Sequence, residues 1–160
     1  MVNSWPSAYA ASNKTYRPLK KHQAIQLLAQ QAAENQQVTA ENQQFTATFQ
    51  DCTRSGTVVR CSTVIKSKQD INMNVDCNVN TGSRLFDNNG NVFQCSSVQV
   101  GSANSRTILN IRFPQDTPVK AIYTFSEVSS SSNLIDTFEI NLSNQFLKFR
   151  NINILGTGER

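Results

Sequence analysis

Asp87, Asn89 and Asn91 sit two apart around Gly90 in the stretch Ser83–Cys95, SRLFDNNGNVFQC, and so present side-chain oxygens at alternate positions. Hard cations such as Ca²⁺ are held by such oxygens, but a 12-residue calcium loop places its glycine sixth and a bidentate Glu twelfth. Here Gly90 comes early, no glutamate follows before Glu127, and one carboxylate carries too little charge to hold the ion. A tight turn accounts for the same residues: Leu85, Phe86, Val92 and Phe93 flank it as apolar pairs, and Asn89-Gly90 supplies the positive φ angles of a type I′ turn. Asp87, Asn89 and Gly90 are therefore read as turn residues, with no metal site.

The other chemistry-bearing residues are four cysteines, Cys52, Cys61, Cys77 and Cys95, confined to one 44-residue block. No Cys-x-x-Cys pair brings two thiolates to one tetrahedral ion, so zinc is not expected. Disulfides are expected instead, against the alternative of four reduced thiols packed as small core residues. If Gly56 and Thr57 form a two-residue loop, counting back places Cys52 opposite Cys61, and a neighbouring register moves them one position apart.

Catalytic constellations are sparse. A serine or cysteine nucleophile ordinarily needs a histidine to take its proton, and the sole histidine, His22, lies in the basic run Lys20-Lys21-His22. A glycosidase needs two carboxyls roughly 5 to 10 Å apart; Asp76, Glu127, Asp136 and Glu139 are candidates that read more simply as scattered surface acids. No Walker loop and no Gly-x-Gly-x-x-Gly cradle for phosphate is present. The chain is expected to be no enzyme and to use no cofactor. Lys14, Arg17, Lys20 and Lys21 form a basic patch around Tyr16, and Arg54, Arg60, Lys66 and Lys68 fall along one predicted hairpin. The net charge of +4 and pI near 9.0 are modest for a nucleic-acid binder. Two Asn-x-Ser/Thr sequons, at Asn13 and Asn141, matter only in a eukaryotic secretory setting.

The elements that must position these residues follow from composition and period. At 160 residues the chain makes one domain with a real core. Only 16% of residues are charged, so solubility leans on Asn, Gln, Ser and Thr. Lys20–Gln37 carries Ile25, Leu28 and Ala32 at helical spacing and is predicted as an amphipathic helix of about four turns. From Phe45 the period is two, with Phe45, Ala47 and Phe49 alternating with Thr46, Thr48 and Gln50. Strands are predicted from Thr57, Ile71, Arg84, Asn91, Thr107, Val119, Leu134 and Phe146, with turn signals every 8 to 12 residues or so. Val119, Ala121, Tyr123 and Phe125 share one face, as do Phe138, Ile140 and Leu142, and Phe149 falls opposite Phe146 and Ile152. The nine phenylalanines are read mainly as core. The expected fold is all-β, an immunoglobulin-like antiparallel β-sandwich of about 7–9 strands, with residues 1–44 as an arm and helix, 45–156 as the sandwich and 157–160 as a tail.

The run SRLFDNNGNVFQ, with the flanking FQDCTRSGTVVRC and VQVG, resembles the central part of telokin-like, immunoglobulin-like accessory domains of bacterial exported proteins, in a version frequent in cyanobacteria. The resemblance spans roughly residues 45–154 and rests on turns and core positions. It implies an exported β-sandwich serving adhesion or assembly and brings no catalytic residues; Cys77 and Cys95 stand outside its pattern. Ala8-Tyr9-Ala10 has the small-x-small form of a signal-peptidase site without an apolar core before it, so the chain either stays in the cytoplasm or has its targeting segment missing; the four cysteines favour the second, and the expected location is extracytoplasmic: periplasmic, secreted or surface-anchored. Two non-enzymatic functions follow. One is an interaction module presenting loops 80–83, 101–106 and 128–133 to a protein or glycan at the cell surface. The other is a structural subunit that assembles through its amino-terminal segment or a sheet edge. The composition of residues 34–44 favours a tether, and hence the module.

Overall fold

The computed structural model describes residues 38–156. They form twelve strands: β1 (Thr39–Glu41), β2 (Phe45–Ser55), β3 (Val58–Ser67), β4 (Ile71–Asp76), β5 (Arg84–Asp87), β6 (Val92–Val100), β7 (Ala103–Ser105), β8 (Ile108–Phe113), β9 (Val119–Phe125), β10 (Leu134–Leu142), β11 (Gln145–Asn153) and β12 (Leu155–Gly156). The described residues contain no helix, and so none long and apolar enough to cross a membrane. The predicted helix at Lys20–Gln37, the basic patch Lys14, Arg17, Lys20 and Lys21, and the sequon at Asn13 lie outside the described residues.

The all-β class follows the alternation. In β2, Phe45, Ala47 and Phe49 are buried while the threonines between them are half-buried. β2 and β3 form a long hairpin around Gly56 (φ +61°), and its register sets Cys52 directly opposite Cys61. The strands then join in one continuous ring instead of the two separate sheets of a sandwich. β2, β3, β9, β6, β5, β10 and β11 pair in that order, all antiparallel. β12 continues from β11 and closes the ring by parallel pairing of Leu155 with Thr53 and Gly156 with Arg54. The corner is β6: Val92–Gln94 pair with β5, residues from Cys95 onward pair with β9, and the register shifts between Cys95 and Ser97. Bulges of this kind bend a strand and let it serve two sheets. β4 and β8 extend from the far end of β10, through Asn141↔Asp76 and Leu142↔Val75.

Phe138 is the centre of the core, with ring centroids 5.5 to 6.5 Å from Tyr123, Phe149, Phe125 and Phe49. Six of the nine phenylalanines are buried, and Phe93 packs against them. Phe86 and Phe146 depart from the core expectation and lie on the outer surface. Phe149 and Ile152, expected on opposite faces, are both fully buried. Asn151 explains this: its φ of +56° breaks the pleat, so an odd spacing of three still returns the side chain to the same face. The facing strand does likewise, with Ile135 and Phe138 both buried.

One further difference concerns the start of the domain. β1 falls within residues 34–44, which composition suggested as a tether, and pairs with β2 from Thr39↔Thr48 to Glu41↔Thr46. Its three residues bury only Ala40, which is too little for a visible period. The Asn42 side chain then accepts from the Gln44 and Phe45 backbone N–H groups and turns the chain into β2.

Candidate functional site

The Asp87 stretch is a turn of a type other than the one expected. Gly90 N–H donates to the Asp87 carbonyl at 3.1 Å, and of the loop residues only Gly90 has positive φ, at +83°. Asp87 also closes the loop from the other side, its N–H donating to the Asn91 carbonyl. The geometry is a type I turn followed by a left-handed glycine, a three-residue hairpin loop. The type I′ turn lies elsewhere, at Ser143-Asn144 between β10 and β11, where both residues have positive φ.

The Asp87 carboxylate is consumed by structure. It accepts from the Asn89 and Asn91 backbone N–H groups, the Asn91 amide and the Ser132 hydroxyl, the last at 2.6 Å. Burial alone would raise its pKa; these four donors outweigh that and lower it to about 2. Ser132 belongs to the serine run, whose far side is held by Arg54, donating to the Val128 and Ser132 carbonyls. The loop 128–133, expected to be presented for binding, is therefore anchored at both ends. Loop 80–83 is equally tied: Gly82 N–H donates to the Asn78 carbonyl, and a Cβ at Gly82 would lie 2.5 Å from the Asn78 nitrogen.

The surface feature with chemical potential is the outer face of β6, β5, β10 and β11. The registers lay it out in rows. Gln94, Arg84, Glu139 and Lys148 stand across one row, and Val92, Phe86, Thr137 and Arg150 across the next. Phe146 faces Asn141 beyond them. An open depression of about 310 Å³ lies here, lined by Phe86, Asp136, Thr137, Glu139, Lys148 and Arg150, with Asp87 and Gly90 at its rim. At its floor Glu139, only 6% exposed at the side chain, pairs with Arg84 and with Lys148 at 3.1 Å. Burial pushes the Glu139 carboxyl up, and the hydrogen bonds and charges of Arg84 and Lys148 more than reverse it, so the group stays ionised below the ordinary carboxylate range. Asp136 pairs with Arg150 at 3.3 Å. The Arg84 guanidinium lies 5.4 Å from the Phe86 ring centre and 5.9 Å from that of Phe146, a contact favourable to a cation over a π face.

The residues singled out from sequence are dispersed by comparison. Cys52 bonds Cys61 and Cys77 bonds Cys95, and all four sulfurs are buried. Among the candidate acids, Asp136 and Glu139 meet at the depression; Asp76 caps the Asn78 N–H at the end of β4, and Glu127 lies in a turn. Arg54 is structural, whereas Lys68 contacts Glu41 at 3.6 Å and Arg60 and Lys66 are exposed on β3. Asn141 is fully buried and its amide donates to the Thr81 carbonyl, so its sequon cannot accept a glycan. Among the described residues no group of three or more His, Cys, Asp or Glu is placed to hold a metal. Sequence reasoning missed Arg84, Phe86, Phe146, Lys148 and Arg150 as one site. The available signal was two phenylalanines at positions where alternation aims them outward. No family model matches the chain, and no curated protein or solved structure matches it.

Proposed function

We propose that this protein is a non-catalytic interaction module that works outside the cytoplasm and binds a protein or glycan at the cell surface through the outer face of β5, β10 and β11. The carrying observation is the depression between Phe86 and Arg150, where a partly exposed aromatic ring adjoins paired charged side chains. Binding sites combine apolar contact area with a few placed polar groups in this way. The two disulfides fit an oxidising compartment. The resemblance of residues 45–154 to telokin-like, immunoglobulin-like accessory domains of exported proteins supports the same role, although ring closure through β12 departs from two separate sheets.

Absence of catalysis is part of the proposal. A glycosidase acid must hold its proton near neutral pH, and the two buried carboxyls of the depression, Asp87 and Glu139, are both shifted the other way. A nucleic-acid role is disfavoured by charge: residues 38–156 contain ten Lys and Arg against nine Asp and Glu, so the positive excess lies mostly outside them.

The test is binding of the labelled full chain to cells of the native host, compared with a Phe146→Ser, Arg150→Glu variant of unchanged melting temperature. The expected result is loss of most cell-bound signal in the variant. Equal binding by both proteins would overturn the assignment of this face.

A further inference from the structure

Resting on that reading, we infer that the ligand of the β5–β10–β11 face is a neutral glycan, bound one or two sugar units at a time against Phe146 and the paired charges of β11. Two properties of the face point to sugar. First, Phe146 is 41% exposed and stands on β11 two residues before Lys148, facing Asn141. The face of an aromatic ring carries negative potential, which suits the weakly positive C–H face of a pyranose. Second, the polar groups come as adjacent acceptor and donor: Asp136 with Arg150 at 3.3 Å and Glu139 with Lys148 at 3.1 Å. A vicinal diol presents two hydroxyls at about that spacing, each able to donate and accept, and so satisfies both members of such a pair.

Charge selects the neutral class. The cations lining the depression are Lys148 and Arg150, and both groove acids already engage cations: Glu139 pairs with Lys148 and Arg84, and Asp136 with Arg150. No cluster of unpaired cations remains for a polyanion, and the described domain is nearly neutral as a whole. A protein partner fits less well. Protein interfaces have an apolar centre, and the exposed large apolar residues here are dispersed: Val92, Leu134 and Phe146 stand on three different strands, β6, β10 and β11, and Val38, Val79, Ile108 and Leu155 lie elsewhere. The half-exposed Lys148 and Arg150 remain free to reorient around a sugar, and a depression of about 310 Å³ suits a short oligosaccharide segment.

The experiment is a ¹⁵N–¹H NMR titration of the full chain with cellotetraose and mannotetraose as neutral probes and tetragalacturonate as the acidic one, for wild type, Phe146→Ala and Asp136→Asn. The expected result is saturable shifts at Arg84, Phe86 and Phe146–Arg150 with a neutral probe, at a Kd on the order of 1 mM, weakened at least tenfold in Phe146→Ala with its melting temperature unchanged. Shifts at this face with tetragalacturonate alone would overturn the neutral class and leave the module reading standing. So would no sugar response combined with groove-dependent binding to cells, which would make the partner a protein. No sugar response and groove-independent cell binding would overturn both.

Discussion

Asp87 is a single carboxylate on which two loops converge. Its four donors come from the hairpin 88–91 and from Ser132, so removing it frees the β5–β6 turn and the serine loop together. Hydrogen bonds to a charged group contribute more than neutral ones; Asp87→Ala is expected to destabilise the domain by about 2–3 kcal/mol, read from urea unfolding at pH 7. The acid limb of stability carries the same signature. Because the folded pKa, about 2, lies below that of the unfolded chain, the stabilisation is complete above about pH 4 and declines as pH falls through 4 toward 2. Glu139, shifted in the same direction, adds to that decline. An Asp87→Asn variant is expected to be less stable at pH 7 and to lose less further stability between pH 5 and 2. A slope identical to wild type would remove Asp87 from this role.

At the scale of elements, the two disulfides do different work. Cys52–Cys61 spans nine residues between strands already paired along their length, whereas Cys77–Cys95 spans eighteen and fastens the end of β4 to the corner of β6. The longer loop constrains the unfolded chain more, and the ladder between β4 and the ring is short, pairing only Asp76 with Asn141 and Val75 with Leu142. Replacing Cys77 and Cys95 by Ala is therefore expected to cost about 3 kcal/mol and to speed amide exchange in β4 and β8 before the ring strands. A uniform rise across all strands would show that the pair supports the ring itself. Most strands and the Cys52↔Cys61 register were legible from alternation and from one Gly-containing loop. Three kinds of feature were not. β1, β7 and β12 are too short for a period; the turn at Ser143-Asn144 has no glycine to mark it; and the positive φ of Asn151 reverses a face that strict alternation fixes. The candidate site was illegible for a different reason. Glu139 meets Arg84 across 55 residues of chain, and the β5–β10 pairing that brings them together is non-local pairing that no window of sequence encodes.

At the scale of the whole molecule, ring closure bears on the choice between module and self-assembling subunit. Closure removes edges that would otherwise pair with another chain, and β1 and β12 cover successive parts of β2, at Thr46–Thr48 and at Thr53–Arg54. Residues 39–41, ahead of residue 44, are consequently part of the paired sheet. Two truncations separate the readings. Removing residues 1–37 is expected to leave a monomer with the wild-type melting temperature and undiminished binding to host cells. Removing residues 1–44 strips β1, bares the N–H and C=O groups of Thr46–Thr48, and removes Asn42, which holds the entry to β2 and donates to Gln145 on β11. That variant is expected to melt several degrees lower and to self-associate in sedimentation velocity, because an exposed edge of β2 recruits another strand. If the full chain is instead an oligomer that the 1–37 deletion makes monomeric, the amino-terminal segment carries assembly, and the structural-subunit reading replaces the module.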